Sequence, residues 1–147
     1  MAANMNYTIR VRAGNQYGLG EPSPPSISFT TLPMPPTKTV RNVTGGGGKH
    51  GTLVVHWEPM SPTDYNGAGF LYRVFWRAKG AVEDDKLNVA QPKQLDGGKR
   101  LETTITLGEN QYFKPFEVRV QAVNQEVSLK GITESVGQDA GVCGAKC

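Results

Sequence analysis

Cysteine is almost missing from this 147-residue chain: Cys143 and Cys147 both fall in the last five residues. A small fold stapled by disulfides is thereby excluded, and cysteine usage says nothing about the redox compartment. Tetrahedral zinc needs four ligands, and Cys143-Gly144-Ala145-Lys146-Cys147 offers two thiols with no second pair. No apolar run is long enough to cross a bilayer. The start, Met1-Ala2-Ala3-Asn4-Met5, has neither the basic residues nor the apolar stretch of a signal peptide. A leader or membrane anchor of an extracellular parent is therefore expected outside this segment. Lys and Arg form no block and the formal net charge is only +3, so nucleic acid is not expected as a partner.

Groups able to do chemistry are equally sparse. His50 sits in a Gly-rich loop and His56 on the outward phase of an alternating segment, and neither has a Cys, Ser or carboxylate at triad or metal spacing. Gly45-Gly46-Gly47-Gly48-Lys49 lacks the register of a phosphate-binding loop and no helical pattern follows it, so it reads as a flexible turn. Glu83-Asp84-Asp85 finds no further carboxylates at calcium-ligand spacing and reads as a solvated loop. The chain is not expected to be an enzyme, and no cofactor or metal is expected.

What the chain does have is turns, alternation and a repeat. Eighteen glycines and ten prolines imply short strands separated by turns. Tyr7-Thr8-Ile9-Arg10-Val11-Arg12-Ala13-Gly14-Asn15 recurs 109 residues later, from Tyr7 to Phe116, as Phe116-Glu117-Val118-Arg119-Val120-Gln121-Ala122-Val123-Asn124. A displacement of about one domain length suggests tandem modules with only the end of the first present. Each copy alternates with period two, the mark of a half-buried antiparallel strand. Tyr7, Ile9, Val11 and Ala13 are expected to face inward in the first copy, and Phe116, Val118, Val120 and Ala122 in the second, with Glu117, Arg119 and Gln121 outward.

Other segments alternate in the same way. Residues 52–58 place Leu53, Val55 and Trp57 on one face. Residues 70–77 place Tyr72, Val74 and Trp76 on one face and Leu71, Arg73, Phe75 and Arg77 on the other. Residues 100–107 align Leu101, Thr103, Ile105 and Leu107. Residues 87–95 form a weak strand interrupted by Pro92, which belongs at a sheet edge because proline cannot donate to a ladder. No segment has helical spacing, so an all-β sandwich is expected. Its core is expected to hold Trp57, Tyr72, Val74, Leu101, Ile105, Phe116, Val118 and Val120.

These residues resemble the fibronectin type III family. The likeness rests on Pro35-Pro36 and Val43 for a first strand, Leu53-x-Val55-x-Trp57-x-Pro59 for a second and Tyr72-x-Val74-x-Trp76-Arg77 for a third. Residues 116–124 fill the family's F position. Asn15-Gln16-Tyr17-Gly18-Leu19-Gly20-Glu21-Pro22-Ser23 looks like an F–G turn. The resemblance implies an immunoglobulin-like, seven-stranded β-sandwich preceded by the F–G hairpin of another module. The expected division is 1–33 for the last strands of a truncated module, 34–136 for a module with a doubtful last strand, and 137–147 for a disordered tail. Phe116 stands where the family usually places its corner tyrosine, and after Asn124 the usual Gly-x-Gly-Pro turn is missing.

Asp64-Tyr65-Asn66-Gly67-Ala68-Gly69-Phe70 and Phe113-Lys114-Pro115-Phe116 add a similarity to modules of neural adhesion molecules of the neuroglian/neurofascin and contactin kinds. That implies an extracellular adhesion or recognition module of a neuronal surface glycoprotein, with roles such as axon guidance. Its implied partners are other cell-surface adhesion proteins, copies of itself included, with the membrane reached only through an anchor elsewhere. A structural spacer, a ligand-binding module of a guidance or phosphatase-type receptor, and an intracellular muscle-type array share the fold, which does not fix function. Two features bear on the choice. Asn6-Tyr7-Thr8 and Asn42-Val43-Thr44 are N-glycosylation sequons. Arg73, Phe75 and Arg77 should lie outward beside Arg119, a combination of residue types enriched in interfaces.

Overall fold

In the computed structural model the described residues are 1–82, 86–108, 114–126 and, for the backbone alone, 138–143. The chain begins with an extended hairpin. Its short strands are β1 (Asn6–Tyr7), β2 (Gly14–Asn15), β3 (Gly18–Leu19) and β4 (Phe29–Thr30), pairing β1 with β4 and β2 with β3. Pro22, Pro24 and Pro25 interrupt the returning arm. There the hydroxyls of Ser23 and Ser26 accept the N–H groups of Val11 and Ile9 at 3.0 and 2.9 Å. Side chains thus supply acceptors where a regular ladder is broken.

Two four-stranded antiparallel sheets follow. One runs β5 (Thr44–Gly47), β6 (Thr52–Trp57), β10 (Arg100–Thr106), β9 (Lys93–Leu95). The other runs β12 (Gln138–Cys143), β11 (Phe116–Val123), β7 (Leu71–Ala78), β8 (Lys86–Val89). Alternation decides what lies between them. β6 contributes Leu53, Val55 and Trp57, and register places these beside Ile105, Thr103 and Leu101 of β10. β7 contributes Tyr72 and Val74, the latter opposite Val120 of β11, which also buries Phe116, Val118 and Ala122. Val40, Val43 and Ala90 complete the cluster.

Trp57 bridges the sheets. It is wholly buried and meets Tyr72 edge-on, with ring centroids 5.3 Å apart. The Tyr72 hydroxyl accepts the Met60 N–H at 2.9 Å. That bond gives the phenol a partner where an orphan polar group would be costly. Burial pushes the Tyr72 phenol above its ordinary value, and the Met60 N–H opposes it. Phe70 meets Tyr72 edge-on at 5.0 Å and stacks on Tyr65 at 3.7 Å, so the aromatic row continues under the loop that includes Asn66 and Gly67.

The repeat has a structural counterpart at its last residue. Asn15 Oδ1 accepts the Tyr17 N–H at 2.9 Å, and Asn124 Oδ1 accepts the Glu126 N–H at 3.1 Å. Both are side-chain turns closing two residues on. Asn124 does more, because it is buried and its Nδ2 donates to the carbonyls of Met34 and Tyr65, each at 2.9 Å. A Cβ on Gly67 would stand 2.8 Å from that Nδ2, so glycine is required for this close approach.

Several expectations are corrected. The Gly45-to-Gly48 stretch is not simply a turn: Thr44–Gly47 is an edge strand paired with β6. Residues 87–95 are not one strand. Pro92 divides them, sending β8 to β7 and β9 to β10 in the other sheet, each at an edge. Within the tail expected to be disordered, Gln138–Cys143 runs antiparallel to β11 and supplies its outer neighbour. The last strand expected before residue 137 lies outside the described residues. Ile9 and Val11, expected inward, are exposed, and among the described residues the hairpin's short strands pair only with one another. Gln121, expected outward, is buried between Arg73 of β7 and Gln138 of β12 in the ladder.

Candidate interaction face

β7 and β11 occupy the middle of their sheet, and their register fixes which outward side chains meet. Arg77 lies opposite Glu117, Phe75 opposite Arg119 and Arg73 opposite Gln121. A slip of one residue would bury the arginines and expose Val74, Val118 and Val120, so the arrangement is strongly specified. Arg77 Nε donates to Glu117 Oε2 at 2.9 Å. The Arg119 guanidinium carbon lies 5.8 Å from the centroid of the Phe75 ring, a cation–π distance. The four residues expected to form a contact patch, Arg73, Phe75, Arg77 and Arg119, therefore stand together on one face.

β8 enlarges that face. Leu87 lies opposite Phe75 and Val89 opposite Arg73, and both apolar residues are half-exposed. An apolar strip thus crosses from Phe75 to the free edge of the sheet, with guanidinium groups beside it. Reading 87–95 as one interrupted strand hid this. The usable signal was the short alternation Leu87-Asn88-Val89. On the other side, β12 places Ala140 and Val142 at register positions next to Arg119 and Glu117. On the opposite phase of β8 the exposed Lys86 places its Nζ 5.0 Å from the ring centroid of half-buried Trp76.

Elsewhere the groups that could do chemistry are dispersed. Among the described residues no three His, Cys, Asp or Glu side chains gather to hold a metal ion. His56 does have a carboxylate partner, Glu102 Oε2 at 2.8 Å, directly across the ladder. Sequence spacing conceals such a pair because 46 residues separate its members. A cleft whose lining includes Lys38, Arg41, Glu58 and Asp64 holds one ion pair, Lys38 Nζ 2.9 Å from Asp64. The Glu83-Asp84-Asp85 stretch and Cys147 lie outside the described residues. Asn6 is exposed in β1 and its Oδ1 accepts the Thr30 hydroxyl; Asn42 is exposed ahead of β5.

Comparison with known proteins supplies the family. No family model matches the chain. Contactin of Drosophila melanogaster is 36% identical over 118 residues, covering 80% of this chain and 8% of that protein. Neural cell adhesion molecule L1 of Mus musculus is 36% identical over 123 residues, covering 83% of this chain and 9% of that protein. The crystal structure of the chicken CNTN1 FN1-FN3 domains matches with a TM-score of 0.72 at 26% identity, covering 96% of this chain and 44% of that one. This segment is fibronectin type III, of the contactin and L1 kind. In fibronectin type III terms β7 and β11 are the C and F strands, and the candidate face is the outer surface of that sheet. The chain spans less than a tenth of the length of the two curated relatives.

Proposed function

We propose that this segment is a non-catalytic adhesion module on the extracellular side of the plasma membrane, within a neuronal cell-surface glycoprotein. Its outer C–F face contacts other cell-surface adhesion proteins, copies of itself included. The observation carrying this reading is the outward row in which Phe75 lies between Arg119 and Leu87, with Arg73 and Arg77 along the same strand. Phe75, Leu87 and Val89 supply apolar contact, and the guanidinium groups set orientation by pairing with carboxylates. A contact of this size is weak for one module and gains strength from many copies on apposed membranes. The relatives' names, contactin and neural cell adhesion molecule L1, support an adhesive role.

The test is clustering of beads or cells bearing the full-length parent protein. The double change Phe75→Ser with Arg77→Ser is expected to abolish clustering and to move the denaturation free energy by less than about 2 kcal/mol, since Arg77 forms an exposed pair and Phe75 is only half-buried. Clustering that survives in the folded variant would assign this module to a spacer role.

A further inference from the structure

The Asn42-Val43-Thr44 sequon has a backbone geometry that the contact face does not use. Arg41 O accepts the Glu58 N–H at 3.0 Å, and Thr44 is the ladder partner of His56. Asn42 and Val43 together therefore oppose the single residue Trp57, the arrangement of a β-bulge. Asn42 takes the left-handed conformation, φ 53°, which asparagine tolerates better than most residues. The bulge separates the side chains. Val43 turns into the core at 8% exposure, while Asn42 and Thr44 are both exposed. Asn42 makes no side-chain hydrogen bond among the described residues, whereas Asn6 engages Thr30 across its hairpin.

We propose that Asn42 carries an N-linked glycan. The inference rests on the extracellular reading, because the glycan is transferred in the secretory pathway. The donor is an oligosaccharide on a polyprenyl diphosphate. A bond forms between Asn42 Nδ2 and the sugar C1, the C1–O bond to the diphosphate breaks, the polyprenyl diphosphate leaves, and the amide nitrogen gives up one proton to base. Folding then buries Val43 without trapping the sugar. The glycan stands just ahead of β5, the glycine-rich strand at the end of its sheet. It lies on the sheet other than the one carrying Phe75, so the glycan and the contact face use different surfaces.

Thr44 supplies the test, since changing it spares the left-handed backbone at Asn42. Full-length parent protein is expressed in secretory cells, collected by surface labelling, and deglycosylated enzymatically in ¹⁸O-water before peptide mapping. The Asn42 peptide is expected to acquire the ¹⁸O-aspartate label in wild type and in Thr44→Ser, and to lose it in Thr44→Val. Surface-located protein with Asn42 unlabelled, including protein labelled at Asn6 alone, would overturn the proposal and leave the adhesive reading standing. A parent that never reaches the surface would overturn both.

Discussion

Replacing Trp57 by alanine removes the side chain that joins the two sheets. The indole is wholly buried, sits in register with Leu101, and crosses to Tyr72 at 5.3 Å. Truncation forfeits both the burial of the indole and its packing against Tyr72. Loss of a buried Trp, as transfer energy plus an unfilled cavity, costs about 3–5 kcal/mol, and roughly 0.5–1.5 kcal/mol of this is the edge-on aromatic contact. Because one kcal/mol moves the midpoint of a domain this size by at least about 4 °C, Tm should fall by about 12 °C or more. Trp57→Phe keeps a ring against Tyr72 and leaves a smaller cavity, so its loss should be clearly smaller. Denaturant unfolding of both variants, followed by intrinsic fluorescence and circular dichroism, measures the difference. A loss below about 1 kcal/mol for Trp57→Ala, close to the range of surface substitutions, would refute the assignment of Trp57 to the core.

Two further variants probe the buried polar groups. Tyr72→Phe orphans the Met60 N–H and should cost about 1–3 kcal/mol near neutral pH. Burial raises the Tyr72 pKa, so its contribution is fully present below the unfolded phenol value of about 10 and is lost as pH rises through the folded value. Wild-type stability should therefore drop more steeply than that of Tyr72→Phe in alkaline titrations of the unfolding free energy; parallel curves would contradict this. Asn124→Ala breaks three bonds of one buried side chain, the donations to Met34 and Tyr65 and the acceptance from the Glu126 N–H. A loss of about 2–4 kcal/mol is expected from denaturant midpoints, whereas Asn15→Ala, which breaks one exposed turn bond, should cost less than about 1 kcal/mol.

Much of this was legible in the sequence because period-two alternation translates directly into faces. Leu53, Val55, Trp57, Tyr72, Val74, Val118 and Val120 could be placed together by phase alone, and so could the outward trio Arg73, Phe75 and Arg77. The repeat set the architecture, since two like strands one domain length apart mark the same position in successive modules. What stayed hidden depends on partners distant in the chain. The glycines at 45–47 carry no side-chain pattern, so only the backbone ladder to β6 shows them as strand. The switch of sheets at Pro92 is a property of tertiary pairing, and Leu87 joins Phe75 only once that switch is known. The His56–Glu102 pair and the Asn124 bridge likewise link positions 46 or more residues apart. β12 was missed because Gln138–Cys143 has weak strand propensity of its own and gains its place by pairing with β11.

Hydroxyl-radical footprinting of the full-length protein, dispersed and clustered on membranes, tests the contact face most directly, because it reads side-chain exposure at the residues named. Oxidation of Phe75, Leu87 and Val89 is expected to fall in the clustered state, while His56, on the opposite sheet, is oxidised equally in both. Unchanged oxidation at Phe75 and Leu87, with protection at His56 or in other modules, would contradict it.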